Sequence, residues 1–342
     1  MMKSPRWQMF VPILIIILMF VLPTFMNSPR YIALLFQLFL YIVLAMGVYS
    51  VWSVGFINAA QPAFYGLGAY TVTLLTMKAG LPYWLAFPIA GIIPAMVALL
   101  FGTVGLKMRG AYFLFLTIAL NEFILWVFKT PGTIFGGMLG LFPVPQPVIH
   151  IFSLNVDFTA SLVPYYYMAL ILAVITCLVY FKLYSSRLGR VWESIGKSED
   201  LIANTGISVY SQKQIAFAVS CFFAGLAGAI WAPYISIVTP SQFSLWQGIT
   251  IVLGALVGGI FSPLGTIIGT VFMAVLNLLF TYLPKQTVQY QPMVVGLILV
   301  LVLLFMPTGM LGLWGKITNK ARELSGHKDI PPKIKKDDVK VA

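Results

Sequence analysis

Apolar residues run through this chain in long blocks, and polar or Gly/Pro-rich punctuation separates ten of them. The blocks cover residues 7–26, 31–53, 61–78, 82–106, 111–129, 164–184, 211–236, 246–260, 265–283 and 288–306. A helix that crosses a bilayer needs about 20 apolar residues. The pattern therefore predicts an all-α integral membrane protein with about ten transmembrane helices and both ends on one side.

Two blocks are interrupted in a telling way. GGIFSPLG, between 246–260 and 265–283, is too short for a loop, and Pro263 with its glycines breaks the helix there. VGFINAAQPAFYGLGAY at 54–70 has the same character. Unwound backbone survives at membrane depth only where protein or a cavity satisfies its freed groups. Broken or half helices of this kind point to a transport pathway, the alternative being kinks that merely suit packing. Small residues four apart, Gly254 with Gly258, Gly265 with Gly269 and Gly225 with Ala229, predict close helix contacts.

Composition settles the solvent. Of 342 residues 60% are hydrophobic and 9% charged, with mean hydropathy +0.95, where a soluble domain carries about 25% charged residues. Residues 1–315 form one membrane-spanning domain, and the Pro-containing, mixed-charge tail 316–342 is expected to be disordered, with weak attraction to anionic lipid as its alternative. Lys3 and Arg6 ahead of the apolar run Val11 to Leu22 resemble a signal peptide, but PTFMNSPR follows instead of a small-residue cleavage site. An uncleaved first span is the expectation.

A net charge of +12 would suggest nucleic acid for a soluble protein; in a membrane the placement of the cations matters instead. With the N-terminus inside, 17 of the 21 Lys and Arg residues fall on the inner side, leaving Arg30, Lys78, Lys129 and Lys285 outside. Both termini are then cytoplasmic, 185–208 is the longest cytoplasmic loop and 130–163 the largest external one.

That cytoplasmic loop contains Gly196-Lys197-Ser198, the end of a P-loop motif. The motif needs another glycine five residues earlier, and position 191 is Val. A nucleotide site is excluded on that ground. Other chemistry is sparse. His150 and His327 have no metal spacing, Cys177 and Cys221 read as small apolar fillers, and no HExxH or GxSxG occurs. The polar groups within spans are more informative. Asn121-Glu122 puts a carboxylate inside TIALNEFILWVF, at about 2.5–3.5 kcal/mol on insertion scales. Glu122 either lines a pathway or serves a neighbouring helix or buried base. Asn58, Gln61 and Tyr65 in the first broken helix are further pathway candidates, while Gln37 and Asn277 read as lone amides that glue helices.

Several stretches in one order resemble a known family. They are GFINAAQPAFYGLGAYTVTLL (55–75), LKMRGAYFLFLTIALNEFI (106–124), FGGMLGL (135–141), SRLGRVWESIGKSEDLIANTGI (186–207), FFAGLAGAIWA (222–232), LGALVGGIFSPLGTIIG (253–269) and LLFMPTGMLGL (303–313). Together they look like the permease family of branched-chain amino-acid ABC importers, of the LivM type. The resemblance implies a permease subunit with no enzyme activity or cofactor of its own, in a bacterial inner membrane. It implies a second related permease, two ABC ATPase subunits that hold ATP and Mg, and an extracytoplasmic substrate-binding protein. The loop 185–208 becomes the segment that docks on the ATPase, with Arg187, Gly189, Arg190, Glu193, Glu199, Asp200 and Gly206 as coupling residues around apolar Ile195 and Leu201. The implied solute is a branched-chain or other amino acid first, then urea, a short amide or an aromatic acid.

The chain departs from the family at Gln61, where many relatives have His, at Thr250, and at Met306 and Thr308. Glu193, Gly196 and Lys197 also differ, which implies an ATPase partner matched to this permease. Two rival readings remain: an ion-gradient-driven secondary transporter with Glu122 as proton site, and a channel or membrane scaffold.

Overall fold

Prolines and glycines set the helix boundaries as much as the apolar runs do. The computed structural model describes residues 18–23, residues 28–282 except 109, 133, 152, 153, 159, 160 and 261, and scattered positions between 293 and 304. Helix α1 (Pro29–Ser53) opens on a proline, whose missing N–H is no loss in a first turn. It stops short of Gly55, which takes a φ of 87°. After a short unwound turn, α2 (Gln61–Met77) again has a proline in its first turn. Then come α3 (Tyr83–Gly105) and α4 (Ala111–Lys129). Two short antiparallel strands follow, β1 (Val148–Ile151) and β2 (Leu154–Asp157). Beyond them are α5 (Val163–Ser185), the short α6 (Arg187–Lys197) and α7 (Glu199–Ala203), and the long α8 (Val209–Ile235). A 3₁₀ turn at Pro240–Phe243 leads into α9 (Leu245–Gly258), which reverses into α10 (Pro263–Tyr282).

Helix α8 is the axis of the bundle, packing along α1, α2 and α3. It can do so because Ala216, Ala224, Gly225, Ala227, Gly228 and Ala229 form its buried face. A methyl on Gly228 would overlap the Tyr65 carbonyl, and one on Gly225 the Ala90 carbonyl. In lipid, where apolar side chains gain nothing by avoiding the solvent, such close backbone approach is what holds helices together. The same device closes the α9–α10 hairpin, where Gly258 abuts the Gly265 carbonyl and Gly269 the Gly254 carbonyl.

Eight expected spans coincide with α1–α5 and α8–α10 to within two residues at each end. Six described helical stretches are long and apolar enough to cross a membrane: Pro29–Ser53, Tyr83–Gly105, Ala111–Lys129, Val163–Ser185, Val209–Ile235 and Pro240–Gly258. The expected ten crossings are not reached among the described residues. At 1.5 Å per residue α2 spans roughly 25 Å and α9 roughly 21 Å, short of a hydrocarbon core about 30 Å thick. The expected spans 7–26 and 288–306 and the tail 316–342 lie largely or wholly outside the described residues.

The all-helical expectation needs one small correction. In segment 130–163, β1 and β2 pair Val148 with Asp157 and Ile151 with Leu154. Four-residue strands carry too little alternation to be read from the sequence. Backbone bonds Leu141 N–H to Val238 O (2.9 Å) and Val238 N–H to Leu141 O (3.1 Å) fasten this segment to the α8–α9 link.

Candidate functional site

The unwound turn between α1 and α2 replaces lost helix bonds with side-chain bonds. The Ala59 N–H donates to Thr117 Oγ1 of α4 (3.2 Å), and the Ala60 N–H to Asn58 Oδ1 (2.9 Å). Asn58 Nδ2 donates to Gln61 Oε1 (2.9 Å), which also accepts from Ser220 Oγ of α8 (3.1 Å). Gln61 Nε2 reaches back to the Leu44 carbonyl of α1 at 3.4 Å. Asn58, Gln61, Thr117 and Ser220 are all completely buried. Polar groups survive such burial only when bonded; here Gln61 bonds Asn58 and Ser220 while Thr117 accepts the Ala59 N–H, joining α1, α2, α4 and α8. Tyr65 lies one turn further on, buried against Phe243 and Trp231. The three pathway candidates of the first broken helix, Asn58, Gln61 and Tyr65, are thus enclosed.

Asn121 and Glu122 are successive on α4 and point to different sides. Asn121 is completely buried, and its Oδ1 has no hydrogen-bond partner. Its Nδ2 meets Glu122 Oε1 at 3.4 Å. Glu122 itself is exposed, on a stripe with Tyr112, Phe115, Ala119 and Trp126 spaced three and four residues apart. Of the α4 polar groups, Thr117 touches the broken turn directly.

The α5–α8 connection is strongly amphipathic. Ser186 caps α6, accepting from the Leu188 N–H at 3.2 Å. The inner face of α6 carries Gly189, Trp192 and Ile195, all buried. Trp192 Nε1 donates to Gln212 Oε1 at 3.1 Å, and Gly189 rests on the Tyr184 backbone. The glycine of the P-loop lookalike has a plain purpose: Gly196 packs on the backbone of Ser53 and Gly55, where α1 breaks. Ile195 was expected on the outer, gripped surface. It faces inward, because it lies three residues beyond Trp192 on the same helix face.

Arg187, Arg190, Glu193, Lys197, Asp200 and Leu201 are exposed on the outer side, where Glu193 and Lys197 pair at 2.7 Å. Gly206, exposed with a φ of 80°, makes the turn towards α8 that favours glycine. Glu199 is different: it is partly buried, and its Oε2 meets Lys213 Nζ of α8 at 2.6 Å. Sequence reasoning passed over Lys213, Trp192 and Ser220 as site residues, and noted Thr117 only as part of the family resemblance. The available signal for Lys213 was a single ammonium inside the first turns of an apolar helix.

A further polar feature lies between α1, α9 and α10. A cavity of about 460 Å³ is lined by Gln37, Tyr41, Gln247, Thr250 and Asn277 among apolar residues that include Leu34, Leu38, Trp246 and Val275. Gln37 Nε2 donates to the Tyr41 hydroxyl at 2.9 Å, and Gln247 Oε1 is buried without a partner. Gln37 and Asn277, expected as lone amides, therefore share one cavity. Among the described residues no cluster of His, Cys, Asp or Glu is arranged to hold a metal.

Membrane-length helices packed backbone to backbone around a polar broken joint define a multi-pass membrane protein. The chain belongs to the family described as branched-chain amino acid transport system / permease component, which matches residues 30–303. It is 28% identical over 291 residues to the high-affinity branched-chain amino acid transport system permease protein LivM of Escherichia coli K12, covering 80% of this chain and 68% of that one. It is 24% identical over 276 residues to the ribose import permease protein RbsC of Haemophilus influenzae (78% and 81%). The permease protein LivH of Salmonella typhimurium is 29% identical over 128 residues, or 37% of this chain and 40% of that one. No solved structure matches the chain.

Proposed function

We propose that this chain is the transmembrane permease subunit of an ATP-driven ABC importer in a bacterial inner membrane, with both termini in the cytoplasm. The observation that carries the reading is the seating of α6 and α7. The apolar face of α6 is anchored on the membrane bundle beside the break in α1, α7 is tied to α8 through Glu199 and Lys213, and the charged face is left outside. A soluble ATPase that grips Arg187, Arg190, Glu193 and Asp200 would pull directly on the joint between α1 and α2. Charged outer groups suit a steered contact between separate proteins. ATP and Mg belong to that partner, which supplies the energy; this chain transmits the displacement so that access alternates between the two sides.

A second, related permease completes the pathway. The exposed α4 stripe carrying Glu122 is the face proposed to meet it, since lipid is a poor environment for a carboxylate. Similarity to both LivM and LivH, two differently named permeases of one kind of transport system, supports a pair of unlike subunits. An extracytoplasmic binding protein delivers the solute. Branched-chain or other amino acids come first as cargo, on the family's description; urea, short amides and aromatic acids follow. The uncharged cavity between α1, α9 and α10, apolar walls set with a few amides and hydroxyls, suits a small cargo with both apolar and polar parts and offers it contacts that the closed Asn58–Gln61 network does not.

The test is site-directed photo-crosslinking from Leu201 and Arg190 in the assembled transporter. The expected product joins this chain to the cognate ATPase. Crosslinks to lipid alone, with the ATPase present and active, would reject the docking surface.

A further inference from the structure

Lys213 is the one charged side chain that is buried among the described residues, with 2% of its surface exposed. A buried ammonium is expensive even when paired, and a well-packed apolar residue often serves a fold equally well. Its surroundings give it a different value. Nζ meets Glu199 Oε2 of α7 at 2.6 Å and stands over the Phe56 ring, 4.4 Å from its centre. Phe56 belongs to the unwound turn ahead of α2, and its ring packs on Phe113 of α4 at 4.4 Å. Two residues later the same turn carries Asn58, the start of the buried network that joins α1, α2, α4 and α8.

We propose that Lys213 is a positioning residue for transport, the joint that ties the α6–α7 segment to the unwound turn between α1 and α2. The inference rests on the permease reading and names how force would pass inward from the gripped surface. Gly196 on the Ser53 backbone resists compression at that joint. Attraction is what a pull requires, and Glu199–Lys213–Phe56 supplies it. With Lys213 buried and Glu199 35% exposed, the pair is screened less than one on the open surface, and the cation held over the ring adds a second attraction. When α7 shifts, Lys213 follows Glu199, and Phe56 with its turn follows Lys213.

The discriminating variants are Lys213→Met, which keeps bulk over Phe56 but removes the charge, and Lys213→Arg, which keeps both. In the full chain in lipid nanodiscs, hydrogen exchange at the Ala59 and Ala60 amides should rise about tenfold with Met and stay near parental with Arg. In proteoliposomes holding the chain with its partner permease, ATPases and binding protein, solute moved per ATP should fall about tenfold with Met. That is the middle of the range for coupling between sites. ATP turnover should continue, and Arg should restore the ratio. Parental exchange and a parental ratio with Met would overturn the proposal. So would a Met variant whose thermal stability, assembly and ATP turnover fall together with uptake, since that marks a merely structural residue. If the parental complex shows no ATP-driven uptake, the permease reading fails, and the exchange measurement still decides whether Lys213 holds the turn.

Discussion

Changing Gly196 to alanine places one methyl where α6 touches the end of α1. An ideal Cβ there would lie 2.5 Å from the Ser53 carbonyl oxygen and 3.3 Å from its carbon. Relaxed non-bonded contacts lie at roughly 3.5 Å, so α6 must lift by about 1 Å or the broken turn must yield. Overpacking of this kind costs about 1–3 kcal/mol. Alanine in place of glycine returns at most about 1 kcal/mol of helix propensity, and less at the next-to-last residue of α6. The balance is a docking weakened by about 1 kcal/mol, or roughly fivefold in the docked-to-open ratio. Hydrogen exchange along α6, in the full chain in nanodiscs, reads that ratio directly. Unchanged or slower exchange in Gly196→Ala would refute the contact. Saturable nucleotide binding by the isolated chain, abolished by the same change, would restore the phosphate reading of Gly196-Lys197-Ser198.

Gln61→Leu leaves Asn58 Nδ2 and Ser220 Oγ without their shared acceptor, at about 1–3 kcal/mol for each buried group; a clear fall in thermal unfolding temperature is expected, and none would mean the network adds no stability. Arg190→Glu should abolish ATP-driven uptake while leaving the unfolding temperature unchanged, because Arg190 is exposed on the outer face of α6; parental uptake would count against the docking surface. Glu122→Gln should lower uptake or alter solute preference while this chain still folds, since the side chain is exposed on α4; an unaltered transport profile would remove Glu122 from the pathway.

Much of the fold is legible because helix ends here are chemical. Pro29, Pro62 and Pro263 stand in first turns, Gly55 and Gly259 take positive φ at breaks, and the apolar runs between them are nearly uninterrupted. The small-residue spacings at Gly225 and Gly258 report real backbone contacts for the same reason. The site is harder to read. Asn58 and Gln61 are polar residues in a broken helix, and sequence alone does not distinguish polar groups that face a pathway from polar groups that bond one another. The Glu199–Lys213 pair joins residues on separate helices, so no helical spacing announces it. Ile195 was misplaced because the loop's apolar residues were counted together; the helical phase set by Trp192 turns Ile195 inward, while Leu201 lies on α7, beyond the break at Ser198, and is exposed.

The measurement that bears most directly on the whole account is solute uptake by sealed proteoliposomes. The chain is reconstituted with its partner permease and ATPases, ATP is placed on the ATPase side, and the solute-loaded binding protein is added outside. The account predicts accumulation against a gradient that requires ATP and persists when the proton gradient is collapsed. Uptake by this chain alone, without ATP and abolished by collapsing the proton gradient, would contradict it.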